Sequence, residues 1–131
     1  MKKTGILNSR LSGLIAGLGH TDIFLIGDAG MPVPKGVEII DLALCENIPT
    51  MEQTLKAVLS EVKVEYYYTA DLIQEYNPKT YNLFQTELAG VPNEAIPHTD
   101  LKEMTKNAKF AIRTGVFSYY GNIVLRAGVV F

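Results

Sequence analysis

Apolar and polar positions alternate in blocks along the chain, and these blocks predict strands interleaved with helices. The clearest block is the apolar run over residues 23–26. Glycines and turn-forming residues bound this run, so it predicts a buried strand. Residues 8–18, directly before it, have the pattern of a short helix. Apolar or β-branched runs predict further strands over residues 37–42, 62–68, 110–113 and 123–131.

The helices between these strands carry recognisable start signals. Thr50 and Gln53 have the spacing of a capping box, and the apolar residues that follow lie on one helical face. Asn77 followed by Pro78 predicts an N-cap with proline at the first helical position, and this helix runs to about residue 88. Three further segments complete the prediction: a helical stretch over residues 70–76, a turn over 89–93, and a short helix to residue 107 capped by Thr99 or Asp100.

Strands that alternate with helices predict the α/β class. With 131 residues the chain is long enough for one domain with a real core and short for two. We therefore predict a single domain over residues 1–131, with a mainly parallel or mixed sheet and helices on both faces. The final strand is apolar up to Phe131, whereas chain ends are normally polar and frayed. We expect this segment to be buried in the sheet or against another subunit.

Composition and charge exclude several classes of function. A net charge of −2 gives no basic face for nucleic acid. Cys45 is the single cysteine, so no intrachain disulfide forms, and the absence of a His/Cys cluster argues against a structural metal. No apolar run approaches the roughly 18 residues of a membrane span, and residues 8–10 interrupt a possible signal peptide. We expect a cytoplasmic protein that binds neither membrane nor nucleic acid.

Two local patterns superficially suggest nucleotide or nucleic-acid binding. Tyr66, Tyr67 and Tyr68 could form a stacking platform, but alternation along a strand puts Tyr67 on the opposite face from its neighbours. Residues 27–30 suggest a phosphate loop, yet they lack the glycine spacing and the lysine of such loops. We therefore predict no nucleotide site.

A histidine and an aspartate lie at opposite ends of the first predicted strand. His20 lies on the turn that enters it, and Asp28 lies at its carboxyl end, where α/β sheets bind ligands. Eight residues of strand and turn span up to roughly 25 Å, so we expect the two side chains not to meet within one chain. Each has a structural alternative, because His20 could cap the preceding helix and Asp28 could bond its own backbone in the turn.

Four motifs together resemble the D-ribose pyranase and fucose mutarotase family. They are Leu7-Asn8-Ser9, Gly19-His20-Thr21-Asp22, Gly27-Asp28-Ala29-Gly30-Met31-Pro32 and Tyr120-Gly121-Asn122. The resemblance covers nearly the whole chain and is densest in residues 5–44 and 111–131. It implies a sugar isomerase that needs no cofactor or metal, assembled as a ring-based homo-oligomer, a decamer. It also implies that His20 is the proton donor. The sugar-binding residues that it implies are Asp28, His98, Tyr120, Gly121 and Asn122.

The residue chemistry agrees with that implied function. Converting a pyranose to a furanose needs two proton movements, and an imidazole suits either one. A tyrosine can stack on a sugar face, and an asparagine amide both donates and accepts hydrogen bonds. His98 and the triplet at Tyr120 have plain alternatives as a loop histidine and a turn. Lys102 lies one helical turn after His98 and would face the same way, although a solvated lysine is the commoner case.

We therefore predict interconversion of β-D-ribopyranose and β-D-ribofuranose by acid–base ring opening and closure. Exchange of anomers of a fucose-type sugar is the nearest enzymatic alternative. A non-catalytic sugar-binding subunit that assists ribose transport is the alternative from another class of protein, and it would have no use for a titrating His20.

Overall fold

A six-stranded sheet forms the centre of the computed structural model, which describes residues 1–131. The strands are β1 (Ile23–Gly27), β2 (Glu38–Asp41), β3 (Val64–Ala70), β4 (Asn93–Ile96), β5 (Phe110–Arg113) and β6 (Ile123–Ala127). The helices are α1 (Ser9–Ala16), α2 (Met51–Leu59), α3 (Ile73–Tyr76), α4 (Pro78–Glu87) and α5 (His98–Met104), and a 3-10 turn over Thr105–Asn107 follows α5.

The sheet is mixed, and one strand runs against all the others. The order is β2-β5-β1-β6-β3-β4, and β6 is antiparallel to both of its neighbours whereas the other pairs are parallel. In the β1–β6 pair, Ile26 lies opposite Ile123 and Ile23 lies opposite Arg126. The residues before β6 therefore lie beside those that follow β1, and the end of β6 lies beside the start of β1.

Alternation along the central strands divides the core between two faces of the sheet. Phe24 and Ile26 of β1 pack with apolar residues of α1 to α4 in the larger cluster. Leu25 points the other way and packs in a smaller cluster that includes Leu101 of α5. The predicted α/β class, with a mixed sheet and helices on both faces, is confirmed. The longest helix has 10 residues, and none is long and apolar enough to cross a bilayer.

Local sequence signals predicted several elements correctly. Helix α2 begins after Thr50, whose side chain accepts from the Gln53 backbone N–H while the Gln53 side chain accepts from Thr50 N–H, as in a capping box. Helix α4 has Asn77 as its N-cap and Pro78 at its first position. Tyr67 is buried, while Tyr66 and Tyr68 lie on the opposite face with their ring centroids 5.0 Å apart.

Other boundaries were wrong, each for a physical reason. Strand β4 was not predicted, because most of its residues are exposed at the sheet edge and show no apolar alternation; the predicted turn over 89–93 reaches only its first residue. The helical stretch predicted from residue 70 begins only at Ile73, since Ala70 pairs with Ile96 at the end of β3. Helix α5 begins at His98 after Pro97, so neither Thr99 nor Asp100 is its cap.

The C-terminal strand is shorter than predicted. It ends at Ala127, and the last two side chains, Val130 and Phe131, are fully exposed on the single chain. Burial in the chain's own sheet is therefore confirmed for Ile123, Val124, Leu125 and Ala127 but not for the last two residues. Burial against another subunit stays a prediction.

The packing around Gly115 gives a test of the fold. A Cβ at this position would lie within 2.6 Å of the Ile48 backbone nitrogen, so Gly115→Ala must displace the segment that contains Cys45 and Ile48. We expect a loss of about 1–3 kcal/mol in the free energy of unfolding, measured in urea. Gly13→Ala is the matched control because nothing lies within 4 Å of its Cβ position in α1, and it should gain about 0.5–1 kcal/mol. Equal effects in the two variants would contradict this account of the packing.

Candidate functional site

A polar pocket lies where β1 ends and β6 begins. Asp28 follows β1 and Asn122 precedes β6, and the antiparallel pairing brings them together. The Asn122 side-chain oxygen accepts from the Asp28 backbone N–H at 2.8 Å, and the Asn122 amide donates to Asp28 Oδ2 at 2.8 Å. This reciprocal pair fixes the amide orientation and directs the carboxylate.

The turn after β1 completes the environment of the carboxylate. The Gly30 backbone N–H donates to Asp28 Oδ1 at 2.8 Å, so Asp28 does bond its own turn, as the structural alternative expected, and reaches Asn122 as well. Gly27 leaves room for this arrangement, because a Cβ there would lie 3.1 Å from Asn122 Oδ1. Each carboxylate oxygen accepts one hydrogen bond and has a lone pair left for a ligand hydroxyl.

Two rings form another wall of the pocket. The His98 and Tyr120 rings meet edge to face with centroids 5.2 Å apart, and Tyr76 lies 5.7 Å from Tyr120 on centroids. Tyr120 has φ of 53°, a left-handed conformation that is uncommon for a bulky residue and often found at functional sites. The backbone is therefore strained at the residue that presents this ring.

The cavity has a volume of about 360 Å3, which is at the small end for ligand sites. Its lining is about half polar and comes from three separate parts of the chain. The residues are Asp28, Gly30, Met31, Pro32, His98, Lys102, Ser118, Tyr119, Tyr120 and Asn122. A polar lining of this kind suits a small ligand that carries several hydroxyl groups.

His98 is held in its neutral form. Burial lowers the pKa of its imidazole below the usual 6.5, and the nearby Lys102 ammonium lowers it further, while Asp28 and Asp71 act in the opposite direction. Its Nδ1 is buried and has no hydrogen-bond partner within the chain. At neutral pH this ring therefore offers a donor or an acceptor rather than a positive charge.

The structure brings together most of the sequence-predicted site residues, but not all of them. Asp28, His98, Tyr120 and Asn122 line the cavity, and Lys102 joins them one turn along α5. The i, i+4 spacing of Lys102 from His98 was the signal for this position. Gly121 is buried and does not line the cavity, since a Cβ there would lie 2.7 Å from Ser118 Oγ.

His20 lies at the other end of the central strand. It precedes the five-residue β1, whereas Asp28 follows it, and the His20 side chain is about half exposed. Its Nε2 contacts Glu65 Oε2 of β3 at 2.9 Å. Glu65 was not among the sequence-predicted residues, because nothing in the sequence relates two positions that are 45 residues apart. Within one chain, His20 and the pocket are separate.

This fold and this pocket define a small α/β protein with a partly polar cavity at the end of its central strand. A family model described as the RbsD / FucU transport protein family matches residues 1–130, and the chain belongs to this family. The resemblance seen in the sequence motifs is thereby confirmed.

Named relatives match the chain over its full length. It is 48% identical to the D-ribose pyranase of Coprothermobacter proteolyticus and 46% identical to that of Limosilactobacillus fermentum, with 100% of both chains covered in each case. The structure of Bacillus subtilis RbsD complexed with D-ribose matches with a TM-score of 0.97 and 42% identity, also over 100% of both chains. A fucose mutarotase from Streptococcus pneumoniae in complex with L-fucose matches at a TM-score of 0.81 and 20% identity over 95% of each chain, a likeness of fold alone.

The lowered pKa of His98 makes stability depend on pH. The folded protein binds this proton less tightly than the unfolded chain does, so the free energy of unfolding should fall as pH drops below about 6.5. Urea unfolding at about pH 7.5 and about pH 5.5 measures that loss, and His98→Gln should lose less than the wild type. The same loss in both proteins would show that His98 is not the group responsible.

Proposed function

We propose that this chain is a D-ribose pyranase that interconverts β-D-ribopyranose and β-D-ribofuranose. Full-length similarity to D-ribose pyranases at 46% and 48% identity supports this, as does the match to a ribose-bound RbsD structure. The observation that carries the proposal is the pocket built around the Asp28–Asn122 pair, which offers both hydrogen-bond donors and acceptors to a polyol. The fucose mutarotase is less similar in sequence, which favours ribose as the substrate.

The reaction needs proton transfer and no redox step. One group gives a proton to the ring oxygen while another takes the proton of the anomeric hydroxyl, and the ring opens to the aldehyde. The hydroxyl on C4 then attacks the carbonyl carbon and loses its proton to the first group, while the second returns its proton to the carbonyl oxygen. Both groups end as they began, so no cofactor and no metal are required.

The pocket residues have complementary roles in this scheme. The Asp28 carboxylate accepts from sugar hydroxyls, and the Asn122 amide holds it in place. His98, neutral at physiological pH, and the Tyr120 hydroxyl extend the set of polar contacts, and the Tyr120 ring offers a face to the sugar. The resemblance to the family adds Gly121 to the binding segment, where its role is to let the backbone pack closely.

His20 is the proton donor in this proposal, and it comes to the pocket from a neighbouring subunit. A single chain holds His20 and Asp28 at opposite ends of β1, so a complete site needs a second copy. Several large apolar side chains that are exposed on the single chain are available for such contacts. They are Leu44, Ile48, Phe117, Tyr119, Val130 and Phe131. A homo-oligomer, and specifically the decamer implied by the family resemblance, would cover them.

We further propose that the enzyme works in the cytoplasm. The single cysteine, Cys45, is free and exposed, which suits a reducing compartment.

Replacement of the proton donor gives a direct test. His20→Ala should slow ring-form exchange about 10²–10⁴-fold, the usual contribution of one acid–base group, with little change in ribose affinity. NMR exchange spectroscopy of ribose with and without protein measures the rate. Wild-type exchange should also survive EDTA, because no step uses a metal. An unaltered rate in His20→Ala would end the assignment, and loss of activity in EDTA would contradict the metal-free scheme.

Subunit mixing tests whether sites are shared. His20→Ala and Asn122→Ala should each be nearly inactive as separate proteins. Hybrids made by co-expressing the two chains should regain part of the wild-type rate, because some sites then combine an intact His20 with an intact Asn122 pocket. Hybrids as inactive as the parents, or a fully active monomer by light scattering, would rule out a shared site.

A further inference from the structure

A line of charged side chains extends from His20 across the sheet. His20 Nε2 lies 2.9 Å from Glu65 Oε2, and the other carboxylate oxygen, Oε1, lies 2.9 Å from Arg126 Nε. The Arg126 guanidinium in turn lies over the Tyr66 ring, 4.9 Å from its centroid. Glu65, on β3, thus makes a hydrogen bond with His20 and an ion pair with Arg126 of β6, although Arg126 Nε is not aligned for a hydrogen bond.

Backbone hydrogen bonds to the end of β6 hold the loop that carries His20. The Thr21 backbone N–H donates to Ala127 O at 2.9 Å, and the Ala127 N–H donates back to Asp22 O at 2.8 Å. Asp22 also accepts from the Gly19 N–H and lies 3.5 Å from Lys109 Nζ. An ordinary surface ion pair joins two freely moving side chains and contributes little. Here the backbone of both partners is anchored: His20 lies on the loop that is bonded to Ala127, and Glu65 lies on β3.

We propose that Glu65 is a positioning residue, which holds His20 with Nε2–H directed at its carboxylate and leaves Nδ1 as the nitrogen that exchanges protons with the sugar. This inference rests on the proposed function. A carboxylate only accepts, so the ring nitrogen that faces Glu65 must carry a hydrogen. The bond made by one ring nitrogen fixes which tautomer the other presents.

The surroundings keep Glu65 ionised and able to play this part. The hydrogen bond from His20 lowers the pKa of the Glu65 carboxyl, and the charges of His20 and Arg126 lower it further against the opposing effect of desolvation. In the proposed step, Nδ1 of the imidazolium gives its proton to the ring oxygen and later receives the proton of the C4 hydroxyl. Glu65 exchanges no proton and keeps the ring in this orientation throughout.

Two substitutions separate the parts of this role. Glu65→Gln keeps an acceptor of the same length and removes the charge, whereas Glu65→Ala removes both. We expect the exchange rate to fall about 10- to 100-fold in Glu65→Ala and less in Glu65→Gln, with ribose affinity unchanged in both, because acid–base positioning is lost rather than binding. The remaining charged groups around the loop are Arg126, Asp22 and Lys109, and they are unchanged.

A matched control and a second variant isolate the contact. Glu38→Gln breaks a comparable arginine–carboxylate pair, with Arg10, and should leave the rate and the tautomer of the His20 ring as in the wild type. Gly128→Ala places a Cβ 2.9 Å from Glu65 Cβ, so it should displace Glu65 and reproduce part of the loss without any change of charge.

Nitrogen NMR of the His20 ring separates this inference from the proposed function. Wild-type protein should show one dominant tautomer with hydrogen on Nε2, and Glu65→Ala should show a mixture. A wild-type protein without exchange activity would overturn the proposed function, while the ring spectra would still test the Glu65 contact. An active wild type whose rate and ring spectra are unchanged in Glu65→Ala would overturn the positioning role alone.

Discussion

The antiparallel pairing of β1 with β6 is the constraint on which both the pocket and the surroundings of His20 depend. It brings Asn122, just before β6, to Asp28, just after β1, where they exchange two hydrogen bonds. At the opposite end it brings Arg126 of β6 beside the loop that carries His20, with Glu65 between them. A parallel β6 would have sent Asn122 to the histidine end and left the Asp28 carboxylate without its partner.

The pocket is organised before any ligand arrives. Asn122 is almost fully buried, and both polar ends of its amide bond to Asp28, so the carboxylate has little freedom to turn. His98 stays neutral beside the Lys102 ammonium, so the small cavity is lined by one basic side chain, Lys102, and one acidic side chain, Asp28. Polar groups that are already oriented need no rearrangement when charge develops on a substrate.

The sequence carries local information well and long-range pairing poorly. Helices α2 and α4 were predictable because Thr50 and Asn77 are caps whose partners lie within three residues. Strand β4 was not, since an exposed edge strand lacks the apolar alternation of a half-buried one. The motifs contain Asp28, Tyr120 and Asn122 of the pocket, and the family resemblance added His98. Neither indicated Glu65, whose contact with His20 exists only once β3 and the loop before β1 are folded together. The apolar chain end was recognised as unusual, yet nothing local indicated that it would leave the sheet after Ala127.

The placement of His20 and Asp28 at opposite ends of one strand has a consequence for how copies of this chain can be arranged. If each pocket takes its histidine from a neighbour, every chain contributes His20 to the pocket of one neighbour, and its own pocket is completed by the His20 of another chain or of the same partner. In a closed arrangement, whether a reciprocal pair or a ring, every pocket then has a histidine. An open row leaves an unused histidine at one end and an incomplete pocket at the other. Closure of the symmetry would therefore determine how many working sites each molecule of protein provides.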